Sequence, residues 1–215
     1  MTYSSITKIL LSKQNKHRSA LIGRTKNENM ISSFCHSMPK PNPVIVPILE
    51  QLGFAGVVKL RHLKVDQALV TTLVERWRPK THTFHFSTGE CTITLEDVAL
   101  QLELKVDGLL IIGPTMFDWK DVCDTYIGIV PVKGETLIGS MMKLKWLRDN
   151  MLSLLDEPSE EQVHAHVMAY ILALIRGVLM PDKIGNKVHL MYLALLTNLK
   201  RTRRYSWGSA YLAML

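Results

Sequence analysis

The sequence predicts a mainly α-helical fold with a small β-hairpin: a single globular helical domain preceded by a disordered basic tail. Three observations carry this prediction. Apolar residues recur at three- and four-residue spacing over most of the chain after residue 44. A proline, a turn and an alternating stretch between Trp77 and Thr94 mark the main strand-like segment. Residues 1–64 hold ten Lys/Arg against two Asp/Glu, whereas residues 65–215 hold sixteen against seventeen, so the net charge of +7 resides at the N-terminus. The globular part is near neutral, which does not suit a fold-wide polyanion-binding surface. A 215-residue chain that is 47% hydrophobic can bury one sizeable core without disulfides or metal. Cys35, Cys91 and Cys123 are odd in number and form no C-x-x-C pair, which suits a reducing compartment.

Residues 1–43 read as a basic tail of low order that ends in a proline-rich linker. Lys8, Lys13, Lys16, Arg18, Arg24 and Lys26 precede the first acid, Glu28, among many Ser, Thr and Asn. A transit peptide has a similar composition, but Arg is sparse and the apolar clusters are brief, so an unstructured tail is the stronger reading. Pro39, Pro41 and Pro43 forbid a continuous helix. Ile45, Ile48, Leu49 and Leu52 open the globular region 44–215, with Gly53 as a helix end.

Asp66 is a good N-cap for a helix whose Leu69, Val70, Leu73, Val74 and Trp77 share a face. Pro79 enforces the stop at Trp77, because the residue before a proline is pushed out of the helical region. Trp77, last on that face, is expected to be buried, with Arg76 or Arg78 bonded to Glu90 or Asp97. Thr83–Phe86 and Cys91–Thr94 alternate as strands around a Ser87-Thr88-Gly89-Glu90 turn. Thr94 then caps a helix with Asp97 at its third position, turning Leu95, Val98 and Leu102 to the core, and Gly108 closes the unit.

Downstream, helices are predicted over 116–126 with Trp119, Val122, Cys123 and Tyr126 inward, and over 140–151 with Met141, Leu144, Leu147 and Met151 inward. Ser159 and Gln162 spell a capping box, and the helix they open runs to Met180 before Pro181. Its stretch Val167–Ile175 is apolar all round, the mark of a central buried helix. A membrane span would need about eighteen or more uncharged residues. Further helices are expected over 188–199 and after Ser206.

Three ordered blocks carry a resemblance. The first is Glu75-Arg76-Trp77-Arg78-Pro79-Lys80-Thr81-His82-Thr83-Phe84-His85 with Gly89-Glu90, Thr92 to Ala99 and Val106-Asp107-Gly108. The second is Arg176-Gly177 to Pro181-Asp182-Lys183 with Asn186-Lys187-Val188-His189-Leu190, and the third is Tyr205-Ser206-Trp207-Gly208-Ser209-Ala210. Over roughly residues 48–215 the chain resembles the plant mobile domain, found in plant "maintenance of meristems" proteins, their relatives and some retrotransposons. In that family the sequence continues past the position of Leu215, so the resemblance implies a C-terminally truncated domain. It also implies a nuclear protein that pairs with a plant-specific relative of the PPP phosphatases and supports gene expression, transposon silencing and meristem identity.

Candidate chemistry is sparse. His82 and His85, three apart on a strand, point to opposite faces and do not chelate easily, and His164 and His166 fall on different sides of a helix. No metal is expected. Gly108 and Gly113 lack the Lys-Ser/Thr of a phosphate loop, and Ser206 and Ser209 lack a G-x-S-x-G elbow. The family is also called aminotransferase-like, but a pyridoxal enzyme needs a Schiff-base Lys, an acidic partner and a phosphate cup in a larger α/β fold. Lys183 and Lys187, the lysines of the second block, read as solvated loop residues. No cofactor and no catalysis are expected. Lys200-Arg201-Thr202-Arg203-Arg204 is the dense charge cluster of the globular part, readable as an import signal, a phosphate-binding edge or a solvated helix end. The favoured function is a non-catalytic nuclear interaction module. The alternatives are a transposon-derived nucleic-acid-binding domain, which the basic tail permits, and an uncharacterised enzyme.

Overall fold

A computed structural model of the chain describes residues 38–60, 66–113, 116–151, 154, 157–180 and 186–214. The expectations for the tail before residue 38, and for Pro181, Asp182 and Lys183, lie outside the described residues. In chain order the helices and strands are α1 (Val46–Gln51), α2 (Ala55–Lys59), α3 (Gln67–Arg76), β1 (Trp77–Arg78), β2 (Thr83–Phe86), β3 (Gly89–Cys91), α4 (Leu95–Leu102), α5 (Trp119–Ile127), β4 (Leu137–Ile138), β5 (Met141–Lys143), α6 (Leu144–Met151), α7 (Glu160–Leu174), β6 (Lys187–His189), α8 (Met191–Leu196), α9 (Leu199–Thr202) and α10 (Trp207–Ala213). The mainly helical class holds. The expected small hairpin is present as β2–β3, extended by β1 into a three-stranded antiparallel sheet, β1-β2-β3, and joined by a second such sheet, β4-β5-β6, that the sequence did not predict. The described residues fall into two compact units, one of residues 66–94 and one of residues 38–60 and 95–214.

In the smaller unit the Asp66 carboxylate accepts the amides of Ala68 and Leu69 at 2.9 and 3.1 Å, the cap its position predicts. Trp77 is already extended, at φ −67 and ψ 131, one residue before Arg78 leads into Pro79. The chain leaving the helix becomes β1 and pairs with β2, Trp77 opposite Phe84 and Arg78 opposite Thr83. Pairing satisfies backbone groups that an isolated extended segment would leave to water. The β2–β3 turn is tighter than predicted: Phe86 faces Gly89 and His85 faces Glu90, so only Ser87 and Thr88 connect the strands.

The larger unit is built on α7. Its capping box is complete, with Gln162 N–H donating to Ser159 Oγ at 3.3 Å and Ser159 N–H to Gln162 Oε1 at 2.9 Å. Every residue from His166 to Gly177 is buried, and a π-helical turn, Ile175–Leu179, follows α7. Among the described residues this is the one helix long and apolar enough to cross a membrane, but 72% of that stretch is buried inside the protein. Protein already covers the surface a bilayer would cover. Helices α5, α6 and α8 and the turn Pro43–Ile45 pack against α7. The segment expected as a linker belongs to this core: Met38 is fully buried, and Tyr170 donates its hydroxyl to the Pro39 carbonyl at 2.9 Å.

Three predicted helices change here. Helix α5 begins at Trp119, capped by Asp118, and turns Trp119, Cys123 and Ile127 inward while Tyr126 stays exposed. The predicted 140–151 helix begins at Leu144, because residues 141–143 form β5. Burial there alternates, Met142 and Leu144 inward and Lys143 outward, so the period is two before it becomes 3.6. The predicted 188–199 helix splits in the same way. Residues 187–189 pair with β5, Met142 opposite Val188, and α8 starts at Met191. In α4, Val98 and Leu102 are buried as expected, whereas Leu95 is 42% exposed. Burial holds the Cys123 thiol at a pKa of about 12, so it behaves as a small apolar group.

Candidate functional site

Two of the sequence blocks meet in the larger unit as a clasp of backbone hydrogen bonds. Leu109 N–H donates to the Arg204 carbonyl at 2.8 Å, and Ser206 N–H returns to the Leu109 carbonyl at 2.9 Å. Gly208 N–H reaches the Lys105 carbonyl at 2.8 Å, and the Ser209 hydroxyl donates to the Val106 carbonyl at 2.5 Å. The glycines explain themselves. Gly108 sits at φ +121, where a Cβ would collide with the Arg204 carbonyl oxygen, and a Cβ on Gly208 would meet Val106 Cγ1 at 2.8 Å. Trp207 fills the clasp, 1% exposed, with its indole N–H on the Thr202 carbonyl at 3.1 Å and the Phe54 ring 5.5 Å away. Ser206 stands where a cap was expected, but no side-chain cap forms, and its hydroxyl lies 3.4 Å from the Leu109 carbonyl. Asp107 is exposed at the outer bend.

The clasp carries the basic cluster. Asn198 caps α9 through the Arg201 amide at 3.0 Å, and Thr202 is fully buried, its hydroxyl shared between the Leu195 and Asn198 carbonyls at 3.0 Å each. Lys200, Arg201, Arg203 and Arg204 are exposed on either side of it. The Arg201 guanidinium lies over the Tyr205 ring at 6.0 Å. Three shallow depressions border the cluster. One of about 470 Å³ is lined by Leu109, Asn198, Lys200, Arg201 and Arg204. One of about 610 Å³ has Ile48, Leu52, Glu160 and His164 with Lys200 and Arg203, and one of about 580 Å³ has Glu50, Glu103 and Lys105 with Arg203.

The first block up to Thr94 lies in the smaller unit and behaves differently. Trp77, expected to be buried, is half-buried, with Phe84 across the strand at 4.8 Å and the edge of His82 at 5.9 Å. Arg76 donates to the Thr72 carbonyl at 3.1 Å and lies 5.9 Å over Phe86. Glu90, one of the two acids expected to take an arginine, accepts from Thr83 Oγ1 at 3.3 Å and lies 3.2 Å from His85 Nε2. A neighbour on the adjacent strand outcompetes a longer reach. His82 is an exposed turn residue at φ 52 rather than a strand residue, its carbonyl accepting from Thr92 Oγ1 at 2.6 Å and Thr81 bonding Thr83 alongside at 2.7 Å. Glu75, Arg78, Pro79, Thr94 and Asp97 are exposed.

The second block joins across the π turn, where Arg176 Nε donates to the Lys187 carbonyl at 2.7 Å. Gly177 is buried, and an added Cβ there would make only ordinary contacts with Met38, at 3.7 Å. His189 was not singled out in the sequence. Met191 N–H donates to its Nδ1 at 3.0 Å, which assigns the proton to Nε2, 2.8 Å from Ser140 Oγ. Burial lowers its pKa, so the neutral ring is favoured. A cavity of about 550 Å³ is lined by Asp124, Glu161 and His166, among others. Among the described residues no three His, Cys, Asp or Glu side chains converge as metal ligands.

The plant mobile domain profile matches residues 53–215, and the chain belongs to that family. The chain is 42% identical over 81% of its length to the Arabidopsis thaliana serine/threonine-protein phosphatase 7 long form homolog, of which the match covers 13%. It is 36% identical over 96% of its length to Protein MAIN-LIKE 2 and 33% identical over 79% to Protein MAINTENANCE OF MERISTEMS, both from Arabidopsis thaliana, covering 32% and 36% of them. The chain thus spans about a third or less of these relatives. No solved structure matches it.

Proposed function

We propose that this chain is a non-catalytic protein-interaction module of a nuclear protein, in the family related to meristem maintenance. One observation carries the reading: the same stretch recurs as 13% of a protein named for a phosphatase and as 32–36% of proteins named for meristem maintenance. A unit that recurs beside such different remainders is better explained by what it binds than by a reaction of its own. The clasp adds support, since Gly108, Trp207 and Gly208 are used for packing rather than aimed into a cavity. A PPP-phosphatase-like protein is the partner the relatives suggest.

Affinity purification of the full chain from plant nuclei, with mass spectrometry, tests the proposal. A protein partner should be enriched in stoichiometric amount over a Trp207→Ala control. Recovery of the chain alone, or turnover of a metabolite abolished by one cavity substitution, would defeat it.

A further inference from the structure

We propose that Lys200, Arg203 and Arg204, with Lys105 beside them, form a folded docking ledge for an acidic peptide segment of a partner protein. The proposal rests on the reading of the chain as an interaction module and supplies the surface and the chemistry it uses. Three features carry it. First, four cations crowd into five residues, and among the described residues none of them is in a salt bridge; Lys59 has taken Glu103 at 2.6 Å. Like charges held together repel, and a bound anion relieves that cost.

Second, the backbone beneath them is fixed. Thr202 is fully buried, Tyr205 is 6% exposed, and the Arg204 carbonyl is bonded to Leu109. The run is therefore presented as one helical turn and a bend, not as an extended strand that a groove could read residue by residue. Little backbone entropy remains to be lost on binding.

Third, the depressions pair charge with apolar surface. Leu109 lies among Lys200, Arg201 and Arg204, and Ile48 and Leu52 lie beside Lys200 and Arg203. A peptide offers carboxylates or phosphates next to apolar side chains; a nucleic-acid backbone offers an unbroken row of phosphates. Glu160 stands in the second of these depressions, and Glu50 and Glu103 stand in the one that holds Lys105, so the positive surface is interrupted and suits a short acidic segment better than a continuous row of phosphates. The near-neutral charge of residues 65–215 points the same way.

Fluorescence polarisation on the full 215-residue chain tests this, with a labelled peptide of alternating Asp and Glu around one Leu as probe. Its Asn/Gln counterpart serves as the uncharged control. Binding should weaken at least tenfold in Arg203→Glu/Arg204→Glu and severalfold in the milder Lys200→Gln/Arg203→Gln, with the tryptophan emission and the melting temperature of the neutral variant unchanged. A tail variant, Lys8→Gln/Lys13→Gln/Lys16→Gln, should bind within about twofold of the parent. Equal binding by the ledge variants, or loss only in the tail variant, would overturn the proposal. So would a single-stranded oligonucleotide that binds more tightly than the peptide with the same ledge dependence. If a nuclear partner still co-purifies with a ledge variant at the parental level, the ledge is wrong while the interaction-module reading stands.

Discussion

Two tryptophans, each in a sequence block of the family, divide the molecule by the work their surroundings do. Trp207 is enclosed on all sides, its ring against Phe54 and Tyr205 and its N–H on a carbonyl, with glycines on both strands of the clasp keeping side chains out of the way. Trp77 lies half open on a three-stranded ribbon, touching Phe84 and His82, with Arg78, Pro79 and Lys80 exposed beside it. Matching motif residues therefore do not imply matching roles. In the clasp they set backbone geometry and so hold the basic ledge in place. In the small sheet the aromatic and charged groups remain partly on the surface, where a substitution changes what the unit presents more than whether it folds.

That contrast is open to direct attack. Trp207→Ala should be the most damaging change, costing about 3–5 kcal/mol by denaturant unfolding, since a fully buried ring and its hydrogen bond are lost together. Trp77→Ala should cost about 1–2 kcal/mol. Equal losses would erase the distinction. Gly108→Ala meets both a positive φ and a carbonyl oxygen and should cost about 1–3 kcal/mol, visible as a lower melting temperature. Gly89, at φ +136 with nothing near its missing Cβ, should lose about 1 kcal/mol to alanine through backbone strain alone. Asp66→Ala removes two amide contacts at the start of α3 and should cost about 1 kcal/mol.

The smallest effect is a pH dependence in the larger unit. His189 has a folded pKa below its ordinary value of 6.5, lowered by burial, and its neutral Nδ1 receives the Met191 amide. Above pH 6.5 the ring is neutral folded and unfolded, and its contribution is complete. As pH falls below that value the unfolded chain takes up the proton first, so stability is lost down through the lowered folded pKa. The melting temperature should therefore drop on acidification from neutral pH, and drop less in His189→Asn. An unchanged slope in the variant would show that other groups carry the effect.

What the sequence determined by itself was whatever closes within a few residues. Asp66 reaches its own helix, Pro79 acts on the residue before it, and Ser159 and Gln162 bond each other, so their short-range chemistry was legible before any fold was known. The buried α7 was legible too, because a run apolar on every side can be satisfied only inside. The tertiary structure decided everything that needed a distant partner. Residues 141–143 and 188–189 look helical alone, and become strands because each supplies the other's missing backbone bonds. Leu95 matches its helix pattern but stays 42% exposed, and Glu90 takes the histidine that strand register sets opposite it. Gly108 and Gly208 announce only permissive backbones; which carbonyl or methyl approaches each, and hence the ledge that Lys200, Arg203 and Arg204 present, depends on two segments about a hundred residues apart closing on each other.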